Sequence, residues 1–182
     1  PRIQGYKARK AAQVVAFFAM KEGGAINILK LIKLVYLSDR RFLEKYDSPI
    51  LYDRLVSMPH GPANSLTLNF VNGFLGDTQG WDEFVSSRAG YSVGIARDDL
   101  APADLDELSK AEVAVLEEMW ERFGGMRPFE IRDFTHDNCP EWEDPNGSSD
   151  PIPYERILKH LHKDPEIAKA IDEDRALANI ED

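Results

Sequence analysis

The stretch from Asn27 to about Lys45 constrains this chain most. Ile28, Leu31, Ile32, Val35, Phe42 and Tyr46 fall on one face, and Leu29, Tyr36 and Leu43 widen it. A helix apolar over so broad an arc must be enclosed by other elements, so the spacing predicts a central, mostly buried helix. Asn27 can cap it, and Tyr46-Asp47-Ser48-Pro49 ends it, because the residue before a proline disfavours the α region. Lys30 and Lys33 lie three apart and read as a solvent stripe, with Asp39, Arg40 and Arg41 opening a wetter half.

Shorter helices surround that element. Residues 7–21 repeat Ala8, Ala12, Val15, Phe18 and Ala19 at helical spacing before Gly23-Gly24 stops them. A short extended piece, Ile50-Leu51, is followed by Met58-Pro59-His60-Gly61-Pro62, a rigid turn whose Pro62 suits the first position of a helix carrying Leu66, Phe70 and Phe74. Between residues 83 and 97, Tyr91, Val93 and Ile95 alternate with small residues after Phe84 to Ser87, which predicts a small β-hairpin. Ser109 and Glu112 form a capping box ahead of Val113, Leu116, Trp120 and Phe123, and Gly124-Gly125 closes that helix. Further helices are expected from Pro128 through Ile131 and Phe134, over Tyr154 to His162, and from Asp164-Pro165 through Ile167 and Ile171. The fold class expected is α+β, mainly α-helical: a compact helical domain with a small β-hairpin, residues 1–163, followed by an acidic C-terminal helix or tail, 164–182.

The chain has 182 residues, 43% apolar and 30% charged, which suits one ordinary core. The longest apolar run, Val14 to Met20, is far short of a membrane span, and no secretory signal follows Arg2, Lys7, Arg9 and Lys10. A single cysteine suits a reducing compartment, so a cytoplasmic location is expected. The net charge of −10 is unevenly spread: residues 1–48 carry ten Lys and Arg against four Asp and Glu, and the remainder is strongly acidic. An acidic body disfavours nucleic acid, which is held by neutralising phosphates; it reads first as a solvated surface that aids solubility and second as a match for a basic partner protein.

Chemistry finds little support in the sequence. His60, His136, Cys139, His160 and His162 lack the paired spacing of a zinc site, and His160 and His162 point to different sides of a helix, so no metal is expected. Cys139 sits among Asp137, Glu141, Glu143 and Asp144, which would raise its pKa rather than activate it. No phosphate-binding loop or specific acid–base pair stands out, and no cofactor is expected. Tyr36, Trp81 and Trp142 read first as packing residues, tryptophans in loops often pinning the loop to a core. Exposed aromatics beside charge can also form a protein-binding hot spot. His136, at a helix end, reads as a cap or a hydrogen-bonded residue.

Three stretches together resemble the Panacea domain family of SocA-like antitoxins. They are Leu29-Lys30-Leu31-Ile32-Lys33-Leu34-Val35-Tyr36, then His60-Gly61-Pro62, and finally Leu108-Ser109 through Glu112, Phe123-Gly124, and Thr135-His136 with Pro140-Glu141-Trp142. Met58-Pro59 departs from the aromatic more common before that family's Gly-Pro turn, and the loop from Asp144 to Pro153 is extended. The resemblance implies a mainly helical α+β fold and a non-enzymatic antitoxin that neutralises a cognate toxin by direct binding. It also implies an alternative, a proteolysis adaptor delivering a toxin to the ClpXP protease. A phage-associated hydrolase and a DNA-binding regulator are the remaining alternatives. Tyr36, His60, Gly61, Pro62, His136 and Trp142 are the expected partner-binding residues.

Overall fold

Two helices, Ala8–Lys21 (α1) and Ile28–Tyr46 (α2), pack together at the centre of the molecule. The computed structural model describes residues 5–76 and 80–178; Arg2 and the last residues of the acidic tail lie outside the described residues. Asn27 caps α2 by accepting a hydrogen bond from the Lys30 amide at 3.1 Å. Asp47 closes the helix in the left-handed conformation, its N–H returning to the Leu43 carbonyl. Leu31, Leu34 and Tyr36 of α2 are fully buried, as the breadth of the apolar face requires.

Between α1 and α2 the chain forms a strand that the sequence reading did not contain. Ala25–Asn27 (β1) pairs antiparallel with Ser92–Gly94 (β4), Ile26 opposite Val93. Gly23 and Gly24, both at positive φ, turn α1 directly into β1. Gly94 is needed where it stands, because a Cβ there would lie 2.8 Å from the Gly24 carbonyl oxygen. The expected hairpin over 83–97 is reduced to isolated bridges, Val85 with Ile95 and Ala89 with Ser92. Its second arm found a better partner in β1.

A second small sheet lies beside α2. Leu55–Met58 (β2) and Gly61–Asn64 (β3) form a hairpin, and β2 also pairs with Asp150–Pro151 (β5), giving the antiparallel order β3-β2-β5. Pro62 therefore lies in a strand, not at a helix start, and Ser65–Val71 (α3) begins only after Asn64. A proline is tolerated there because β3 is an edge strand, with no further strand paired on its far side among the described residues. Ile50 and Leu51 bend rather than extend, and their amides bind the Asp39 carboxylate at 2.6 and 3.3 Å.

The remaining helices are Lys110–Phe123 (α4), Pro128–Asn138 (α5), Tyr154–His160 (α6) and Ile167–Ala178 (α7). The capping box is realised in both directions: the Glu112 amide donates to Ser109 Oγ at 3.1 Å and the Ser109 amide to Glu112 Oε1 at 2.9 Å. Helices α1, α3, α4, α5 and α6 all pack against α2, and Ile171 buries α7 against the body. Arg175 of α7 donates to the carbonyls of Tyr52 and Asp53 at 3.1 and 2.8 Å. Lys30 and Lys33 correct the solvent-stripe reading, because α4, α5 and β3 cover that face of α2 and leave both side chains buried. Lys30 meets Glu22 and the Gly124 carbonyl, whereas Lys33 Nζ, among the described residues, donates only to the Pro62 carbonyl, at 2.7 Å.

Candidate functional site

The β2–β3 hairpin turns through Pro59 and His60. Proline fixes the first φ of the turn and Gly61, at φ +106°, supplies the positive φ that closes it. Pro59 and His60 are exposed at the tip. Two side chains from elsewhere hold the carbonyls on either side of them: Lys33 binds that of Pro62, and the Trp142 indole N–H donates to that of Met58 at 2.8 Å. A two-stranded ribbon is marginal alone, so these braces set where the tip points.

Trp142 is itself fixed from behind. Its ring stacks on His136, centroids 4.2 Å apart with planes 13° from parallel, and the next residue's amide, that of Glu143, donates to Ser57 Oγ at 3.2 Å. The preceding residue, Glu141, is wholly buried and accepts from the Tyr36 hydroxyl at 2.9 Å and from Arg40 Nε at 2.6 Å. Tyr36 thus reaches the site through Glu141: α2 holds the loop and the loop holds the hairpin. Gly61 leaves room for His136, since a Cβ there would sit 3.2 Å from its Cδ2 and 3.0 Å from Thr135 Oγ1. Burial, with Arg132 and Lys33 nearby, lowers the His136 pKa and keeps the ring neutral.

On its other side the hairpin tip borders a cavity of about 250 Å³. Ile28, Leu29 and Ile32 of α2, Ala63 of β3 and Leu68 of α3 form its apolar wall. Met58, Pro59 and His60 close one rim, and Arg88 and Tyr91 the other. The 88–91 turn is anchored by the Ile28 amide, which donates to the Tyr91 carbonyl at 2.8 Å, and leaves Tyr91 79% exposed. Arg88 is held in place by the Gly90 carbonyl and Asn72 Oδ1, both at 2.7 Å. Lys33 also lines this cavity, and burial brings its pKa down to about 7.

The six expected contact residues separate into two groups. His60 is exposed, and His136 and Trp142 are half-buried, so these three can meet a partner. Tyr36, Gly61 and Pro62 cannot, and this corrects the expectation for them: each is buried, and each builds the site from beneath. Cys139 is also buried, and burial pushes its thiol up to about 12, with Glu141 adding to the effect. The raised pKa agrees with the sequence, but desolvation outweighs the acidic neighbours as its cause. Trp81 packs in the core, stacked on Phe70 with centroids 4.8 Å apart.

Sequence reasoning missed Lys33, Glu141, Arg88 and Tyr91 as parts of the site. The first two are charged residues whose burial depends on segments far away in sequence. Arg88 and Tyr91 flank a glycine between two apolar stretches, a turn signal that could have drawn attention to them. Among the described residues no group of three or more His, Cys, Asp or Glu side chains could hold a metal ion, and no helix is long and apolar enough to cross a membrane.

A family model described as antitoxin SocA-like, Panacea domain, matches residues 31–143. That span takes in most of α2, the hairpin, the 88–91 turn and the loop through Trp142. No curated protein and no solved structure matches the chain.

Proposed function

The chain belongs to the SocA-like antitoxin family defined by the Panacea domain, and from that premise we propose that it neutralises a cognate toxin by holding it, with no cofactor and no chemistry of its own. The face that does so is the braced hairpin tip: Pro59 and His60, the Trp142–His136 stack on one flank, and the cavity rim with Tyr91 on the other. One observation carries the reading. Side chains from α2 and from the 141–143 loop converge on a turn of two exposed residues and fix it, although the turn contributes little to the core. A rigid, partly aromatic surface with a polar surround is what a protein interface of roughly 1,200 to 2,000 Å² requires.

The acidic body supports the same reading, because a net charge of −10 speeds encounter with a basic toxin. The buried lone cysteine suits action in a reducing cytoplasm. Rescue of growth on co-expression with the toxin, together with isolation of a stable complex from purified components, tests the proposal. Trp142→Ala should leave the chain folded and weaken that complex by roughly tenfold or more, as loss of an aromatic anchor does. Rescue that required an added protease such as ClpXP, with no stable complex, would contradict neutralisation by binding.

A further inference from the structure

The cavity beside the hairpin tip has a composition that the rest of the surface does not predict. Asp and Glu outnumber Lys and Arg by 32 to 22 in the chain, yet no carboxylate lines this cavity among its described walls. Lys33 and Arg88 do line it, and neither makes an ion pair among the described residues. Arg88 binds a backbone carbonyl and an uncharged amide, so its charge is positioned but not neutralised. His60 adds an imidazole at the rim. The floor, made by Ile28, Ile32 and Leu68, is apolar.

Resting on the antitoxin reading, we infer that this cavity takes a short segment of the toxin in which a bulky apolar side chain stands next to an aspartate or glutamate. The apolar group fills the floor and the carboxylate meets Arg88 at the rim. A guanidinium already oriented by two hydrogen bonds loses little freedom on receiving a carboxylate. The volume suits one large side chain. The exposed Tyr91 ring and the Pro59-His60 turn then close over the segment's two edges. Local charge here is opposite to that of the whole molecule: the acidic body draws a basic toxin near, and the cationic pocket selects an acidic patch on it.

The test uses the full chain and a phage-displayed library of random dodecapeptides, panned against wild type and two variants. Arg88→Glu reverses the rim charge at an exposed position. Leu29→Glu puts a carboxylate in the first turn of α2, where the helix dipole favours an acid, so the fold is preserved. Peptides enriched on wild type should share Phe, Leu, Ile, Met or Trp within two positions of Asp or Glu. They should bind either variant more weakly by roughly tenfold or more, thermal melts being unchanged. Enrichment of basic peptides, or binding to either variant as tight as to wild type, would overturn the inference. Toxin rescue separates this from the broader reading: rescue by wild type and by both variants alike removes the pocket but keeps the antitoxin, whereas no rescue by wild type removes the antitoxin.

Discussion

The two small antiparallel sheets that flank α2, one of two strands and one of three, differ in what holds them. The β1–β4 ribbon is fastened mainly by backbone bonds and by the close approach of Gly94 to Gly24, with one side-chain bond, from the Gly94 amide to Ser86 Oγ, and with Ile26 and Val93 buried beneath it. The β3-β2-β5 sheet adds side-chain braces to its backbone pairing: Lys33 and Trp142 on its carbonyls, Ser57 on the Glu143 amide and Asp39 on Asn64 Nδ2, with Asp53 on the Leu66 and Thr67 amides of α3 that follows it. Backbone pairing suffices to close a chain. Buried polar groups carry a desolvation cost, visible in Lys33 lowered and Asp39 raised to about 7, and in return they fix one orientation. The costly sheet is the one that carries the exposed tip.

Removing Glu141 should break this contrast most severely. Glu141→Ala leaves Arg40 and the Tyr36 hydroxyl without their buried partner, and urea denaturation should show a loss of about 3 kcal/mol. The same variant should release Trp142 from the hairpin, seen as a shift in its fluorescence, while the β1–β4 resonances stay in place. A loss below about 0.5 kcal/mol would show that the polar brace is not structural.

Asp39 offers a second, pH-dependent test. Burial raises its carboxyl to about 7, whereas an unfolded aspartate titrates near 4. The folded state therefore keeps a proton that the unfolded chain has released. The associated stability is fully present below about pH 4 and is lost as pH rises through about 7. Asp39→Asn should remove that slope between about pH 4 and 7 with little loss of stability near neutrality. It keeps the oxygen that serves the Ile50 and Leu51 amides, and the introduced NH₂ can meet Asn64 Oδ1, which has no partner among the described residues, once that amide turns over. Melting curves across this range on both proteins check it; parallel curves would contradict the assignment.

The smallest effect sharpens the comparison by pairing one glycine from each sheet. Gly61→Ala and Gly94→Ala should each cost about 1–2 kcal/mol, the first through positive φ and the second through contact with backbone. Only Gly61→Ala should also displace His136 and disturb the Trp142 stack, which near-ultraviolet circular dichroism reads.

What was legible in the sequence was local. The capping box at Ser109, the Asn27 cap and the breadth of the α2 face each depend on residues within a few positions, and each was realised. Strand β1 was hidden because three residues after a glycine pair carry no period of their own, and their partner lies beyond α3. Lys33 looked wet because spacing along a helix tells which residues share a face but not what covers it. Trp142 could be singled out by type, but its hold on Met58 and its support by Glu141 and Tyr36 arise only when α2, α5 and the hairpin meet.

Backbone amide exchange of the chain, alone and in complex with the toxin proposed as its partner, tests the central claim most directly. Binding through the braced tip predicts slowed exchange at His60 and Gly61, across residues 88–92 and at Trp142, with α7 and the exposed α4 surface unaffected. Protection confined to α7 or α4, with the tip exchanging as in the free chain, would contradict it.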